Sequence, residues 1–150
     1  MRWNLLQEVL HIERGQKASA AALIPETDAG AELLLMEMMA QTAGLTLGSL
    51  QDFKDDLVFA KIDHAVFNVL PAAGTPVLIE ARAEDVRPEG GWFLARVSAG
   101  RQILAESRLL LVNAGKLNPA SGASVTFHPR FMDHYRIREK ITGGAVSPVL

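Results

Sequence analysis

A single carboxylate interrupts the most apolar stretch of the sequence. Glu37 is the only charged residue between Leu33 and Leu50, and Gln41 follows four residues later, on the same face of a helix and within reach of a hydrogen bond. A carboxylate without partners in apolar surroundings costs several kcal/mol, and a partly desolvated one is suited to proton transfer near neutral pH. We therefore predict that Glu37 is a catalytic acid or base. The alternative is that it reaches an interface or caps a neighbouring backbone.

The segment around this carboxylate has the composition of a buried helix. Residues Ala31 to Leu50 are mostly Leu, Met, Ala, Glu and Gln, which are strong helix formers. Apolar side chains occupy every side, which is typical of a helix that the rest of the fold covers. Ala40, Gly44 and Gly48 recur every four residues, so one side is shallow. Because glycine costs about 1 kcal/mol relative to alanine inside a helix, we expect a sheet or another backbone close to this side.

The segments before and after the helix predict strands. A hairpin is indicated first, although either of its arms could also form a helix, and period-two alternation follows the helix. The predicted strands are 5–13, 17–24, 58–67, 77–86, 92–98 and 102–112. Val58, Ile62 and His64 share one strand face, which we expect to point toward the helix. A hairpin, a buried helix and a four-strand antiparallel meander give an α+β domain whose sheet wraps the helix.

A tail follows this domain. We place the domain at residues 1–113 and the tail at residues 114–150, where a loop leads to a short amphipathic helix over residues 129–140 that begins at a proline. The basic residues of this helix form a cluster, which comprises Arg130, Arg136, Arg138 and Lys140. The cluster either lies on a solvated helix face or docks a strongly acidic protein partner.

Composition and charge exclude several classes of protein. A chain of 150 residues suits one domain, and 15 Lys and Arg against 17 Asp and Glu argue against nucleic acid as a partner. The absence of cysteine excludes disulfides, thiolate metal sites and thiol nucleophiles. No two histidines have ligand spacing together with a carboxylate on one predicted element, so we predict no metal. The apolar stretches are too short or too interrupted for a signal peptide or a membrane span, which predicts a cytoplasmic protein.

Three segments resemble one protein family. Residues Met36 to Gly44 (MEMMAQTAG) resemble the central-helix signature of hot-dog-fold 3-hydroxyacyl-acyl-carrier-protein dehydratases of the FabA/FabZ type. The segment from Leu5 through Gly15 is similar to the family's opening hairpin, and Phe59 to Phe67 (FAKIDHAVF) is similar to its third strand. The resemblance covers about residues 5–112 and leaves the tail unmatched.

The resemblance implies a hot-dog fold, in which a curved antiparallel sheet of about five to six strands wraps one long central helix. It also implies a homodimer or higher oligomer with sites at the subunit interface. There the family places an acid from one subunit, a histidine from the other and a tunnel for an acyl chain. The acyl chain is carried on the phosphopantetheine of acyl carrier protein or coenzyme A, with no further cofactor. Glu37 matches the helix acid and Gln41 its supporting glutamine, and the implied substrate-binding positions also include Leu33, Pro25 and Leu23.

The sequence departs from the family at its histidine. That residue belongs to a His-Phe-Pro-Gly motif fourteen residues before the helix acid, where this chain has Leu23, and only the proline, Pro25, is kept. His64 is a candidate to replace it or to contact substrate, although a histidine on an apolar face is more often a core residue. We expect a dehydratase-type protein that acts on or binds acyl thioesters, with Glu37 kept and the histidine lost. The alternatives are a non-catalytic acyl-binding subunit of a hot-dog heterodimer, or a thioesterase in which Glu37 activates water.

Overall fold

The computed structural model describes residues 4–118, 120 and 124–143. Residues 1–3 of the predicted domain and residues 119, 121–123 and 144–150 of the predicted tail lie outside the described residues. The elements in chain order are β1 (Glu8–Glu13), β2 (Lys17–Leu23), α1 (Ala31–Leu50), β3 (Asp56–Phe67), β4 (Pro76–Arg87), β5 (Gly90–Ala99), β6 (Gln102–Gly115), α2 (Pro129–His134), α3 (Ile137–Lys140) and β7 (Ile141–Thr142).

The described strands form a single sheet in the order β3-β6-β5-β4-β2-β1-β7. The first six strands pair antiparallel, as predicted, and the chain order of hairpin, helix and four further strands is confirmed. The predicted four-strand meander is wrong in one respect: β3 pairs with β6 and not with β4, so only β4, β5 and β6 form a meander. The alternation within a strand does not indicate which strand lies beside it. The seventh strand has only two residues, Ile141 and Thr142, and pairs parallel with β1. It was not predicted because two residues cannot show a periodic pattern.

Helix α1 is the centre of the hydrophobic core. It packs against strands β1 to β6, and its buried residues include Leu35, Met38, Met39 and Leu45, each with 0% exposure. The predicted burial on nearly every side is therefore confirmed. By length and composition alone α1 could cross a membrane, but 72% of its most apolar window is buried inside the protein.

Two β-bulges interrupt the alternation of side chains in β3. The pairing with β6 skips one residue after Phe59 and another after Ile62, and each extra residue shifts the alternation of side chains by one position. His64 pairs with Arg108, which lies between two buried residues of β6. His64 is therefore exposed on the outer face of the sheet, and the expectation that it points toward the helix is wrong. The two shifts cancel, so His64 stays on the face of Val58, as predicted, whereas Ile62 lies between the bulges and pairs with the buried Leu109 on the other face. Alternation groups residues by face but does not show which face meets the helix.

The tail forms two short helices where one was predicted. Helices α2 and α3 meet at Arg136, whose backbone is left-handed with φ 52°. An arginine in this conformation is uncommon and has no sequence signal, so the prediction of a continuous helix over residues 129–140 is wrong. Phe127, Tyr135 and Ile137 belong to the same hydrophobic core as α1. The described part of the tail thus packs against the sheet and the end of the helix.

Candidate functional site

A groove of about 590 Å³ runs along one side of α1. We call it the α1 groove. Its floor consists of Glu37, Ala40, Gln41 and Gly44, which stand at the i, i+3, i+4 and i+7 positions of one helix face. Because two of these residues have a small side chain or none, the floor is shallow, as the spacing of small residues predicted.

Strands and tail provide the walls of the α1 groove. Leu57 and Phe59 of β3 form one side with Leu111 of β6, and the tail forms the other. The tail contributes Val125, Thr126, Phe127 and Phe131, and we call residues 124–131 the tail wall. The shallow helix face is therefore covered by a set of side chains and not by the backbone of a sheet.

A hydrogen-bonded chain holds Glu37 in place. The carboxylate is half-buried, and the side-chain amide of Gln41 donates from Nε2 to Oε2 of Glu37 over 3.3 Å. The backbone N–H of Leu5 donates to Oε1 of Gln41 over 3.1 Å. Since a backbone N–H can only donate, it directs the amide oxygen toward Leu5 and leaves the NH₂ group for Glu37. Among the described residues that line the groove, Glu37 is the only ionisable one.

Asp56 fastens the tail wall to the start of β3. Its carboxyl group is fully buried. One oxygen accepts hydrogen bonds of 2.7 Å each from the Ser124 hydroxyl and the Thr126 N–H, and the other accepts one of 2.8 Å from the Leu117 N–H. Burial acts to raise the pKa of Asp56, but the hydrogen bonds from these three residues, together with the backbone of Val125, outweigh it and hold the pKa below its ordinary value of 3.8. At neutral pH an ionised Asp56 therefore ties the tail wall to the sheet.

The groove brings together only two of the predicted site residues, Glu37 and Gln41. Leu33 lies one helical turn before the carboxylate, is 54% exposed and does not line the groove. Leu23 is 46% exposed at the end of β2, and Pro25 is half-buried in the loop after this strand. Neither lines the groove within one chain. A role of Leu33, Leu23 and Pro25 in substrate binding stays a prediction.

The structure describes all four histidines of the chain, and none of them lines the α1 groove. His11 and His64 border a second depression, of about 610 Å³, whose walls are strongly charged and lie on the outer face of the sheet. His128 accepts a backbone N–H at the start of α2, and His134 packs on Tyr135. Within residues 4–118, 120 and 124–143, no three His, Asp or Glu side chains converge to hold a metal ion. Ligand sites are mostly apolar with a few convergent polar groups, so the α1 groove is the better candidate.

The basic cluster of the tail is largely paired with acids. The ion pairs are Arg136–Glu139 at 2.8 Å, Arg138–Asp52 at 2.9 Å and Lys140–Glu8 at 3.8 Å. Such exposed pairs contribute little to stability, but they reduce the positive charge available to an acidic partner. The arrangement favours the solvated-face alternative.

Sequence reasoning missed the tail wall. A signal was present, since Phe127, Phe131 and Tyr135 recur every four residues, which places them on one side of a helical path. In the structure their rings form a row, with centroids 6.0 Å apart for the first pair and 4.9 Å apart for the second. The pattern indicates packing but does not say which surface the rings cover.

No protein-family model matches the sequence, and no curated protein matches it. Solved structures do match. The dehydratase heterocomplex ApeI:P from Xenorhabdus doucetiae matches with a TM-score of 0.64 at 16% identity, over 78% of this chain and 87% of that chain. The smu.793 protein from Streptococcus mutans, solved with acetyl CoA bound, matches with a TM-score of 0.61 at 14% identity, over 79% and 96%. A mutant of a hypothetical thioesterase from Streptococcus pneumoniae matches with a TM-score of 0.59 at 9% identity, over 77% and 100%.

These similarities establish the fold. The chain has the hot-dog fold, an α+β architecture in which one sheet wraps a long central helix. The predicted fold class is confirmed, with one short strand more than the five to six expected.

Proposed function

We propose that the α1 groove binds the acyl part of an acyl thioester and that Glu37 is the acid or base that acts on it. One observation carries the proposal: among the described residues that line the groove of about 590 Å³, Glu37 is the one ionisable side chain, and Gln41 orients it. This volume falls within the roughly 300–1,000 Å³ that small-molecule sites occupy. The carrier is acyl carrier protein or coenzyme A, and the phosphopantetheine arm remains outside at the exposed Leu33 end.

The reaction we favour is a dehydration of the FabA/FabZ type. A base removes the proton from the carbon next to the thioester carbonyl, a carbon–carbon double bond forms, and the hydroxyl on the next carbon departs as water after an acid protonates it. With no histidine in the groove, Glu37 takes the first proton and returns it to the hydroxyl on the same face. In support, the matched structures include one that is described as a dehydratase heterocomplex.

The missing imidazole supports two further candidates. Hydrolysis of an acyl thioester needs only a base to activate water, and one matched structure is described as a hypothetical thioesterase. Alternatively, the chain is the acyl-binding, non-catalytic half of a heterodimer whose other subunit provides the histidine. The dehydratase match is itself a heterocomplex.

We also propose that two hot-dog subunits join through β3, as the family resemblance implies. Strand β3 is an edge of the sheet, and Val58, Ile62 and Val66 are 40%, 46% and 40% exposed along it. A long apolar edge strand readily pairs with another chain. Such pairing extends the sheet across two subunits and brings the partner close to the α1 groove, whose wall includes Leu57 and Phe59.

One experiment separates the three candidates. Full-length protein is incubated with 3-hydroxyacyl and saturated acyl thioesters of coenzyme A, and enoyl formation and thiol release are followed in parallel. Enoyl formation supports the dehydratase, thiol release supports the thioesterase, and binding without turnover supports the silent subunit. The Glu37→Gln variant keeps the size of the side chain and should lower turnover by about 10²–10⁴-fold. The control is Glu89→Gln, an exposed carboxylate in the turn between β4 and β5. Absence of binding, or full turnover by Glu37→Gln, would refute the proposal.

A further inference from the structure

We infer that the tail wall closes the far end of the α1 groove and limits the acyl chain to about eight carbon atoms. This inference rests on the proposed function and adds the class of substrate, which is a short or medium acyl chain. It concerns residues 124–131, which lie beyond the part of the chain that resembles the dehydratase family.

The two ends of the helix floor differ. Before Glu37, Leu33 lies one helical turn away and is 54% exposed, so we place the carrier on that side. At the other end, Gly48 lies one turn beyond Gly44, the last residue of the floor. The ring of Phe127 covers Gly48 so closely that its Cζ lies 2.5 Å from the place where a Cβ would stand. A chain that runs along the floor from Glu37 therefore meets this ring.

The closing ring is held on several sides. Phe127 is 4% exposed and packs edge-to-face on Phe53 and on Phe131, with centroid distances of 5.1 and 6.0 Å. Its backbone N–H donates to the Ser124 hydroxyl over 2.8 Å, and that hydroxyl donates to the buried carboxylate of Asp56 over 2.7 Å. Because packing and hydrogen bonds both fix the ring, the end of the groove is a firm wall.

The length of the floor sets the limit. An α-helix rises 1.5 Å per residue, so the seven residues from Glu37 to Gly44 span about 10 Å. An extended hydrocarbon chain advances about 1.25 Å per bond, from bonds of about 1.5 Å at an angle of about 111°. About eight carbons therefore fit between the carboxylate and the wall.

The test measures affinity against chain length with unreactive ligands. S-alkyl thioethers of coenzyme A with four to fourteen carbons in the alkyl chain are titrated calorimetrically into the full-length protein. Each buried methylene should tighten binding about fourfold, up to about eight carbons. Beyond that length the affinity should no longer rise, and we call this range of chain lengths the level region. In Phe131→Ala, and in the more conservative Phe127→Leu, the level region should begin at least two carbons later. Phe67→Ala is the control, since Phe67 is also half-buried against the core but lies at the far end of β3. Circular dichroism checks that each variant is folded.

The outcomes separate this inference from the proposed function. A level region near eight carbons that moves in a tail-wall variant and not in Phe67→Ala supports the inference. If wild-type affinity rises steadily to fourteen carbons, or if neither tail-wall variant moves the level region, the inference is overturned while acyl binding stands. If no thioether binds at any length, the proposed function fails and the inference fails with it.

Discussion

Two glycines on the same face of α1 should respond in opposite ways to alanine. Inside a helix, replacing glycine by alanine stabilises the folded state by about 1 kcal/mol. At Gly44 the new methyl group has room, because its closest neighbour, Cδ1 of Leu57, would be 3.7 Å away. We therefore expect Gly44→Ala to raise the free energy of unfolding by about 1 kcal/mol.

At Gly48 the same methyl group collides with two rings. It would lie 2.5 Å from Cζ of Phe127 and 2.8 Å from Cδ1 of Phe53. Neither ring moves freely, since the two pack edge-to-face at 5.1 Å. Overpacking of this kind costs about 1–3 kcal/mol. The higher helix propensity of alanine offsets about 1 kcal/mol of this cost. Gly48→Ala should therefore lower the free energy of unfolding by up to about 2 kcal/mol relative to wild type.

Urea denaturation followed by circular dichroism measures both variants. The two free energies should differ by about 1–3 kcal/mol, which corresponds to a difference of several degrees in melting temperature for a domain of this size. Each variant is the control for the other, because helix, substitution and propensity change are the same. If Gly48→Ala is as stable as Gly44→Ala, then Phe127 does not rest on Gly48, and the closed end of the α1 groove is refuted as well.

Two further predictions concern the tail wall and the subunit interface. Asp56→Asn replaces an accepting oxygen with an NH₂ group that faces N–H and O–H donors. We therefore expect urea denaturation at pH 7 to show a free energy of unfolding lower by about 2–3 kcal/mol. Because folding lowers the pKa of Asp56 below 3.8, wild type should keep this stabilisation above about pH 5 and lose it as the pH falls below 3.8. The two proteins should then converge at low pH, and a constant difference down to pH 2 would contradict this. Ile62→Lys should break a dimer formed through β3, which light scattering would show as a halved mass. Leu10→Lys, on an exposed residue of β1 toward the opposite edge of the sheet, should not. A dimer that survives Ile62→Lys argues for another interface.

The sequence predicted the central elements of the fold because their patterns are local and uninterrupted. The helix bounds Ala31 and Leu50 agree with the structure, since a run of strong helix formers ends at a charged loop. The strands β4 and β5 also appear where alternation placed them, within one or two residues. In each case one period extends over many residues and a glycine or proline turn marks its end.

Elements that depend on contacts distant in sequence were not predicted. The bulges after Phe59 and Ile62 become visible only when β6 is laid beside β3, and they move Ile62 off the face that Val58 and His64 share. The left-handed backbone at Arg136 depends likewise on how the tail returns to the sheet, where Tyr135 donates a hydrogen bond to the carbonyl of Leu6. No local preference of these residues indicates either feature.

The candidate site also combines contacts that are local in sequence with contacts that are distant in sequence. Glu37 and Gln41 stand four residues apart, so helical spacing alone pairs them, and the structure shows that hydrogen bond. The partners that shape the groove are distant in sequence: Leu5 precedes Gln41 by 36 residues, and the tail wall comes more than 80 residues after Glu37. A resemblance confined to residues 5–112 can therefore suggest which group does the chemistry, but not how long a substrate fits beside it. Proteins that share this helix motif but have different segments after β6 should then differ in chain length more than in reaction type.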